Sequence, residues 1–185
     1  MSNNKEFATV GKPKIGGSIW RAPVGTTLPT TADGELDTAF INIGYISEDG
    51  VENDSSIESE EIKSWEGDVV LRPRTSRTDS FKWSMLEIQN TEALKTYYGD
   101  DNVSGDLTNG IEVKVNAEDS EPMSYVIDMI TTYGSLHRVV IPIGTVIETE
   151  SITYKKDEAA MLGVTVAGSA DADGNTHYEY FKGVS

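Results

Sequence analysis

Thr78-Asp79-Ser80-Phe81-Lys82-Trp83-Ser84-Met85-Leu86 alternates strictly, with Phe81, Trp83 and Met85 on one side and Ser80, Lys82 and Ser84 on the other. Successive side chains of a strand point to opposite faces, so this period of two predicts a half-buried antiparallel strand with one face on a core and one in water. The same texture recurs outward from it. Short runs with period-two alternation or β-branched enrichment predict strands near 41–47, 56–65, 68–74, 77–88, 110–117, 123–131, 136–141, 144–154, 161–167 and 176–182. Asp49-Gly50, Asn109-Gly110 and Asp173-Gly174 are tight-turn signals between them. One segment breaks the pattern: Asn90 is a good N-cap, Thr91 to Tyr98 holds helix formers with Leu94 and Tyr97/Tyr98 one turn apart, and Gly99 is a natural stop. A lesser helical turn is expected over Glu35 to Phe40. The fold expected is mainly β, an antiparallel β-sandwich or partial barrel with one short flanking α-helix at about 90–98.

The 185 residues suit a single domain large enough to bury a core. Apolar residues make up 37%, a low share, but three Trp, eight Tyr and four Phe are more than a disordered chain carries. With 15 Lys+Arg against 31 Asp+Glu the formal charge is 15 − 31 = −16. A chain so acidic is no nucleic-acid reader, since that binding rests on cations neutralising phosphates. Cysteine is absent, which excludes disulfides, thiolate metal sites and a cysteine nucleophile. No apolar run reaches the roughly 18 residues of a membrane span, and the N-terminus has no signal-like apolar region. A soluble protein made in a cytoplasm is expected.

Two stretches stand apart from the sheet. Residues 1–32 are rich in Gly, Pro, Ser and Thr with scattered apolar points, and predict an extended N-terminal arm ahead of a single domain at 33–185. Ile15, Ile19, Trp20 and Val24 are too apolar for free solvent and too broken by Gly and Pro to form a core alone, which makes them expected contacts with a neighbouring subunit. Glu48, Asp49, Glu52, Asp54, Glu58, Glu60 and Glu61 form a block without a basic residue. A solvated loop explains such a block. The strand-like flanks, Ile43 to Ile46 and Ile62 to Val70, equally suit a projecting hairpin over about 45–67 that serves assembly.

Catalytic constellations are missing. His137 and His177 lie forty positions apart, outside any metal-ligand spacing, and no G-x-S-x-G, H-E-x-x-H, phosphate-binding loop or dinucleotide fingerprint occurs. Asp171-Ala172-Asp173-Gly174-Asn175 starts like a calcium loop but has Thr176 where the turn glycine belongs and Lys182 where the bidentate Glu belongs. A hairpin turn explains it. No enzyme, cofactor or metal is expected.

Gly17 to Pro29 (GSIWRAPVGTTLP), Leu36 to Phe40 (LDTAF), Gly44 to Val51 (GYISEDGV), Ile62 to Trp65 (IKSW), Thr78 to Lys82 (TDSFK) and Leu94 to Val103 (LKTYYGDDNV) together resemble the major tail proteins, or tail tube proteins, of long-tailed, non-contractile bacteriophages (siphophages), particularly those of actinobacterial hosts. The likeness covers about the first hundred residues. It implies a β-sandwich subunit that closes into six-membered rings, with inner strands joined into one barrel around a lumen and rings stacked into a tube that DNA traverses during ejection. It further implies that the arm and the long hairpin reach neighbouring subunits and rings, with Trp65 on that hairpin among the contacts. Expected partners are other copies of the chain, the tape measure, tail terminator and distal tail proteins, and DNA held transiently without sequence recognition; no membrane is involved. The expected location is the virion tail, after assembly in the host cytoplasm.

An acidic wall lets DNA slide where a basic one would hold it. Alternation then makes Glu58 with Glu60, Glu112, and Glu148 with Glu150 the expected lumen-facing residues. Two alternatives are a soluble carbohydrate- or protein-binding β-sandwich and a hydrolase working through paired carboxylates.

Overall fold

Phe81, Trp83 and Met85 are buried and Lys82 is exposed, on a strand running Arg74–Met85. The computed structural model describes residues 8–14 and 17–183. Within them the elements run β1 Gly11–Pro13, β2 Ile19–Pro23, β3 Ile41–Asn42, β4 Ile46–Ser59, β5 Ile62–Lys63, β6 Val69–Leu71, β7 Arg74–Met85, α1 Thr91–Tyr98, a 3-10 turn at Asp100–Asn102, β8 Val103–Asp106, β9 Gly110–Val113, β10 Met123–Thr131, β11 Leu136–Thr149, β12 Leu162–Ser169 and β13 Tyr178–Lys182. Nine strands form one antiparallel sheet with the path β3-β2-β10-β11-β12-β7-β4, while β1 joins β10 and β13 joins β11. β5–β6 and β8–β9 are separate two-stranded hairpins.

The sheet curls. Trp83 on β7 and Tyr125 on β10 lie three strand steps apart along the path, about 14 Å in a flat sheet, yet their ring centroids are 5.5 Å apart. Curvature brings Ile19, Phe81, Trp83, Tyr125, Ile127, Ile141, Val164 and Val166 into one core, capped by Ala93 and Leu94 of α1 and by Val103 of β8. Burial pushes the Tyr125 hydroxyl up to about 12. This is the partial-barrel form of the expected mainly-β fold, with its one flanking helix in place. The Asn90 side chain caps α1 by accepting from the Glu92 amide at 2.9 Å, and the Gly99 amide closes it by donating to Lys95 at φ +94°.

Several boundaries differ from the sequence reading for identifiable reasons. β11 is one strand, not two: Pro142 and Gly144 read as punctuation, but they mark a register shift against β10, where the Ser124 hydroxyl donates to the Pro142 carbonyl at 2.7 Å. Asp49-Gly50 is no hairpin turn; Gly50 (φ +74°) lies within β4, at an irregularity against β7. The acidic block is itself strand as far as Ser59, and β4 pairs with β7 from Ile46↔Met85 to Ser59↔Arg74. The β4–β7 hairpin therefore spans 46–85, and the part of it beyond the Ser55↔Asp79 pair, where β7 leaves β12, projects. Glu35 to Phe40 forms no helix, only a turn closed by the Phe40 amide on Asp37.

The arm reading fails for residues 19–23. β2 lies inside the sheet between β3 and β10, pairing Ile19↔Ile127 through Pro23↔Met123, and Ile19 is 0% exposed. Arg21 is buried too, with its guanidinium donating to Thr96 and ion-paired with Asp100 and Glu92. A strand with a buried cation looks like a loop until its acidic partners are known.

The reverse face of β2–β10–β11 is covered by the 24–40 loop. Ala22, Phe40, Val126 and Val140 form a second cluster with Trp20, Leu28 and Leu36. Arg138 holds that loop: it donates to Asp128 at 2.6 and 2.9 Å and to the carbonyls of Thr31 and Gly34 at 3.1 and 2.7 Å. Both Arg138 and Asp128 are buried. Asp128→Ala leaves an uncompensated buried charge and is expected to cost about 3–5 kcal/mol, lowering Tm by roughly 6–20 °C. Asp128→Leu with Arg138→Met should recover most of that loss in the same thermal melt. A single variant melting within 2 °C of wild type, as a rough margin, contradicts the assignment.

Candidate functional site

At the other end of the sheet the reverse face is bare. Register places Glu52↔Lys82↔Thr165↔Glu148 in one row and Asp54↔Ser80↔Ala167↔Thr145 in the next, with Glu58↔Ser76 beyond. Glu150 joins them: its amide donates to Gly163, which pairs with Ser84 on this face, and its carboxylate meets Lys82 at 2.6 Å. None of these side chains is buried. Among the described residues the face carries Glu52, Asp54, Glu58, Glu148 and Glu150 against Lys82, a formal charge of −5 + 1 = −4. The hydrogen bond and charge of Glu150, aided by Glu52 and Glu148, raise the Lys82 ammonium above its usual range and keep it protonated. Ser76 donates to Glu58 at 2.9 Å.

Three of the five carboxylates expected in a lumen, Glu58, Glu148 and Glu150, thus share one open face. Glu60 lies past the end of β4, where its amide bonds the Pro73 carbonyl. Glu112 stands apart on β9, opposite Ser104 and 3.9 Å from Lys114, because β8–β9 is a separate hairpin beside α1. Glu52 and Asp54 were missed. Their signal was the alternation Glu52, Asp54, Ser56, Glu58 inside what read as a solvated block.

The expected contact residues divide similarly. Ile15 lies outside the described residues. Ile19 is spent on the chain's own core, and Trp20 is half-buried in the second cluster. Both are corrected as surface anchors, since their apolar area is already covered within the chain. Val24 is 44% exposed and Trp65 is 100% exposed. From Glu52 to Thr78 every residue but Ser64 is exposed, so the far part of the β4–β7 hairpin packs against nothing else among the described residues. β4 is also an end of the sheet path, with an edge that no strand among the described residues pairs.

One buried node fixes the base of the hairpin. Asp79 is fully buried and accepts from Arg77 at 2.9 and 3.0 Å, from Ser55 at 2.6 Å and from Thr176 at 2.5 Å. The Arg77 guanidinium, helped by the two hydroxyls and opposed by burial, holds this carboxyl well below its ordinary value of 3.8. A depressed folded-state pKa contributes stability above the unfolded value that is lost as pH falls through the folded one. The subunit should therefore lose stability progressively below about pH 4. Asp79→Asn, less stable at pH 7, should show a smaller further loss between pH 5 and pH 2 in urea titrations; an equal loss removes Asp79 from the explanation.

His137 stacks on Phe181 and contacts Glu179 at 2.9 Å, and His177 packs edge-on against Phe81. Among the described residues no group of three or more His, Asp or Glu could hold a metal ion, and no helix is long and apolar enough to cross a membrane. What the molecule offers is a bare acidic sheet face, an open strand edge and an uncovered hairpin.

Residues 2–182 match the family model described as phage tail tube protein. The chain belongs to the phage tail tube protein family. A tail tube protein is a structural component of the virion tail rather than an enzyme, and self-assembles into a tube with other tail components. Among solved structures, this tail tube protein is similar to the cap that terminates the anti-feeding prophage tube (10% identity, 97% of this chain and 98% of that one, TM-score 0.48). It is also similar to a chain in the tail of the empty gene transfer agent particle, refined with C6 symmetry (12% identity, 90% and 93%, TM-score 0.41). A chain in the native gene transfer agent virion is a further match (13% identity, 80% and 93%, TM-score 0.39). No curated protein matches the sequence.

Proposed function

We propose that six copies of this tail tube protein close a ring through the open β4 edge, that rings stack into the tube of a siphophage tail, and that the bare acidic face lines the channel for DNA. The observation that carries this reading is the asymmetry of the reverse face. Loop 24–40 covers it at the β2–β10 end, whereas at the β4–β7–β12 end it is polar, uncovered and charged −4. Duplex DNA carries about one negative charge per 1.7 Å of axis, so such a wall releases no counterions to it and lets it slide.

Closing a ring also removes the strand edge that would template aggregation. The exposed hairpin and Val24 supply contacts to neighbouring copies. The tape measure, tail terminator and distal tail proteins are the proposed tail partners, with assembly in the host cytoplasm. Electron microscopy of the purified chain tests the reading directly: six-fold rings or tubes are expected, and a protein that stays monomeric at every concentration contradicts it.

A further inference from the structure

Asn109 stands at the end of the β8–β9 turn, and of the nine asparagines in the chain it is the one followed by a glycine. Residues 106–110 are all exposed. Gly110 (φ +106°) has open space where a side chain would stand. That pairing matters chemically. A backbone amide can attack the side-chain carbonyl carbon of the asparagine before it and close a five-membered ring, and the main obstacle is the side chain of the attacking residue; glycine has none. Asparagines around α1 are placed differently. Asn90, Asn102 and Asn116 precede Thr91, Val103 and Ala117. Asn90 caps the helix, Asn102 donates to the Tyr98 carbonyl at 2.7 Å, and Asn116 donates to Asn102 at 2.8 Å.

The turn is latched on one carboxylate. Asp106 accepts from the backbone amides of Thr108 and Asn109 at 2.8 and 2.9 Å, and from the Asn109 side-chain amide at 2.8 Å. These donors, the Asn109 side chain first among them, hold the Asp106 carboxyl below its ordinary range. It is therefore ionised at neutral pH, and the latch works only while residue 109 carries an amide.

We propose that Asn109 is a site of spontaneous deamidation and that its products unlatch the β8–β9 turn. The deprotonated Gly110 nitrogen bonds to Asn109 Cγ, the Cγ–Nδ2 bond breaks, and Nδ2 leaves as ammonia with the proton that the Gly110 amide gave up. Water then opens the ring. Cleavage at Cγ yields aspartate; cleavage at the main-chain carbonyl yields isoaspartate, in which the backbone runs through one extra methylene. Either product puts a carboxylate where an amide donated to Asp106, so a hydrogen bond becomes a like-charge contact. The longer product also strains the ladder at Asp106↔Gly110, where there is no slack: a Cβ added at Gly105 would strike the Gly110 carbonyl. Val103, Ile111 and Val113 of this hairpin pack on the main core with α1, so the disturbance reaches the helix. No synthesis replaces a subunit in a finished virion, and the products accumulate with its age.

The purified chain, incubated in mildly alkaline buffer at body temperature and mapped by peptide mass spectrometry, should show the mass shift of an amide turned acid at residue 109, in two products of equal mass that separate by chromatography. Conversion there should exceed that at Asn116 by about tenfold or more, a barrier difference of about 1.4 kcal/mol. Asn109→Gln keeps a side-chain amide but must close a larger ring, so its peptide should stay unconverted over the same time. Asn109→Asp makes the shorter product directly. Its amides over 103–113 should exchange with solvent about fivefold faster than in wild type, the equivalent of about 1 kcal/mol for one lost hydrogen bond, with exchange in β10 and β12 unaltered. Conversion at residue 109 no faster than at Asn116, or equal in the Asn109→Gln chain, overturns the site; Asn109→Asp exchanging as wild type does overturns the unlatching.

Discussion

Removing residues 1–24 is expected to abolish folding, not merely polymerisation. The deletion takes out β2, which pairs with β10 over five residues in the interior of the sheet. Ile19 alone is fully buried, and losing a side chain of that size costs about 2–5 kcal/mol. The loss of Ala22 opens the second cluster against Val126 and Val140. Loss of Arg21 strips Asp100 of its cation and Thr96 of a donor at the α1 end of the molecule, and leaves Glu92 with Lys95 alone. The sum approaches the whole stability of an ordinary domain, about 5–15 kcal/mol. A truncated chain should show no cooperative thermal transition and weak near-ultraviolet dichroism. A truncated chain that melts as wild type does and remains monomeric restores the view of this segment as a detachable arm.

Glu52→Lys, Glu58→Lys and Glu148→Lys together are expected to give tubes that assemble and then hold their DNA. Each replacement changes the bare face by +2, taking it from −4 to −4 + 6 = +2. In a ring of six that is −24 to +12, and the lumen passes from repelling DNA to binding it by counterion release. Glu150 is left in place because it pairs with Lys82 and its side chain lies over Gly163. Ejection should slow at least tenfold at low salt and recover steeply as salt rises, since phosphate contacts weaken linearly in log salt. A triple variant that ejects at the wild-type rate at every ionic strength sinks the lumen assignment.

How far the sequence discloses this molecule depends on whether the cause is local. The alternation around Phe81, Trp83 and Met85 and the Asn90 and Gly99 helix ends are local, and both are found where the sequence places them. β2 is not local. Its flanking Gly17, Pro23 and Gly25 read as loop punctuation, and Arg21 is tolerable in a core only because Glu92 and Asp100 arrive from about 70–80 positions away. The acidic face is a problem of the same kind. Glu52, Asp54 and Glu58 look like solvation until β4 is known to pair with β7, and only then do they fall on one face, with Glu52 beside Lys82 in the row that ends at Glu148. Glu112 shows the converse, since alternation alone makes it equivalent to Glu148 although it belongs to a separate hairpin.

The central claim is that the uncovered face of β4, β7, β12 and β11 is the inner wall of a tube closed through the β4 edge. A cryo-EM density map of tubes assembled from the wild-type chain tests it most directly. The account predicts Glu52, Lys82 and Glu148 on the channel surface and β4 hydrogen-bonded to a strand of the adjacent subunit; a map with those three side chains on the outer wall, or with β4 unpaired in the closed ring, contradicts it.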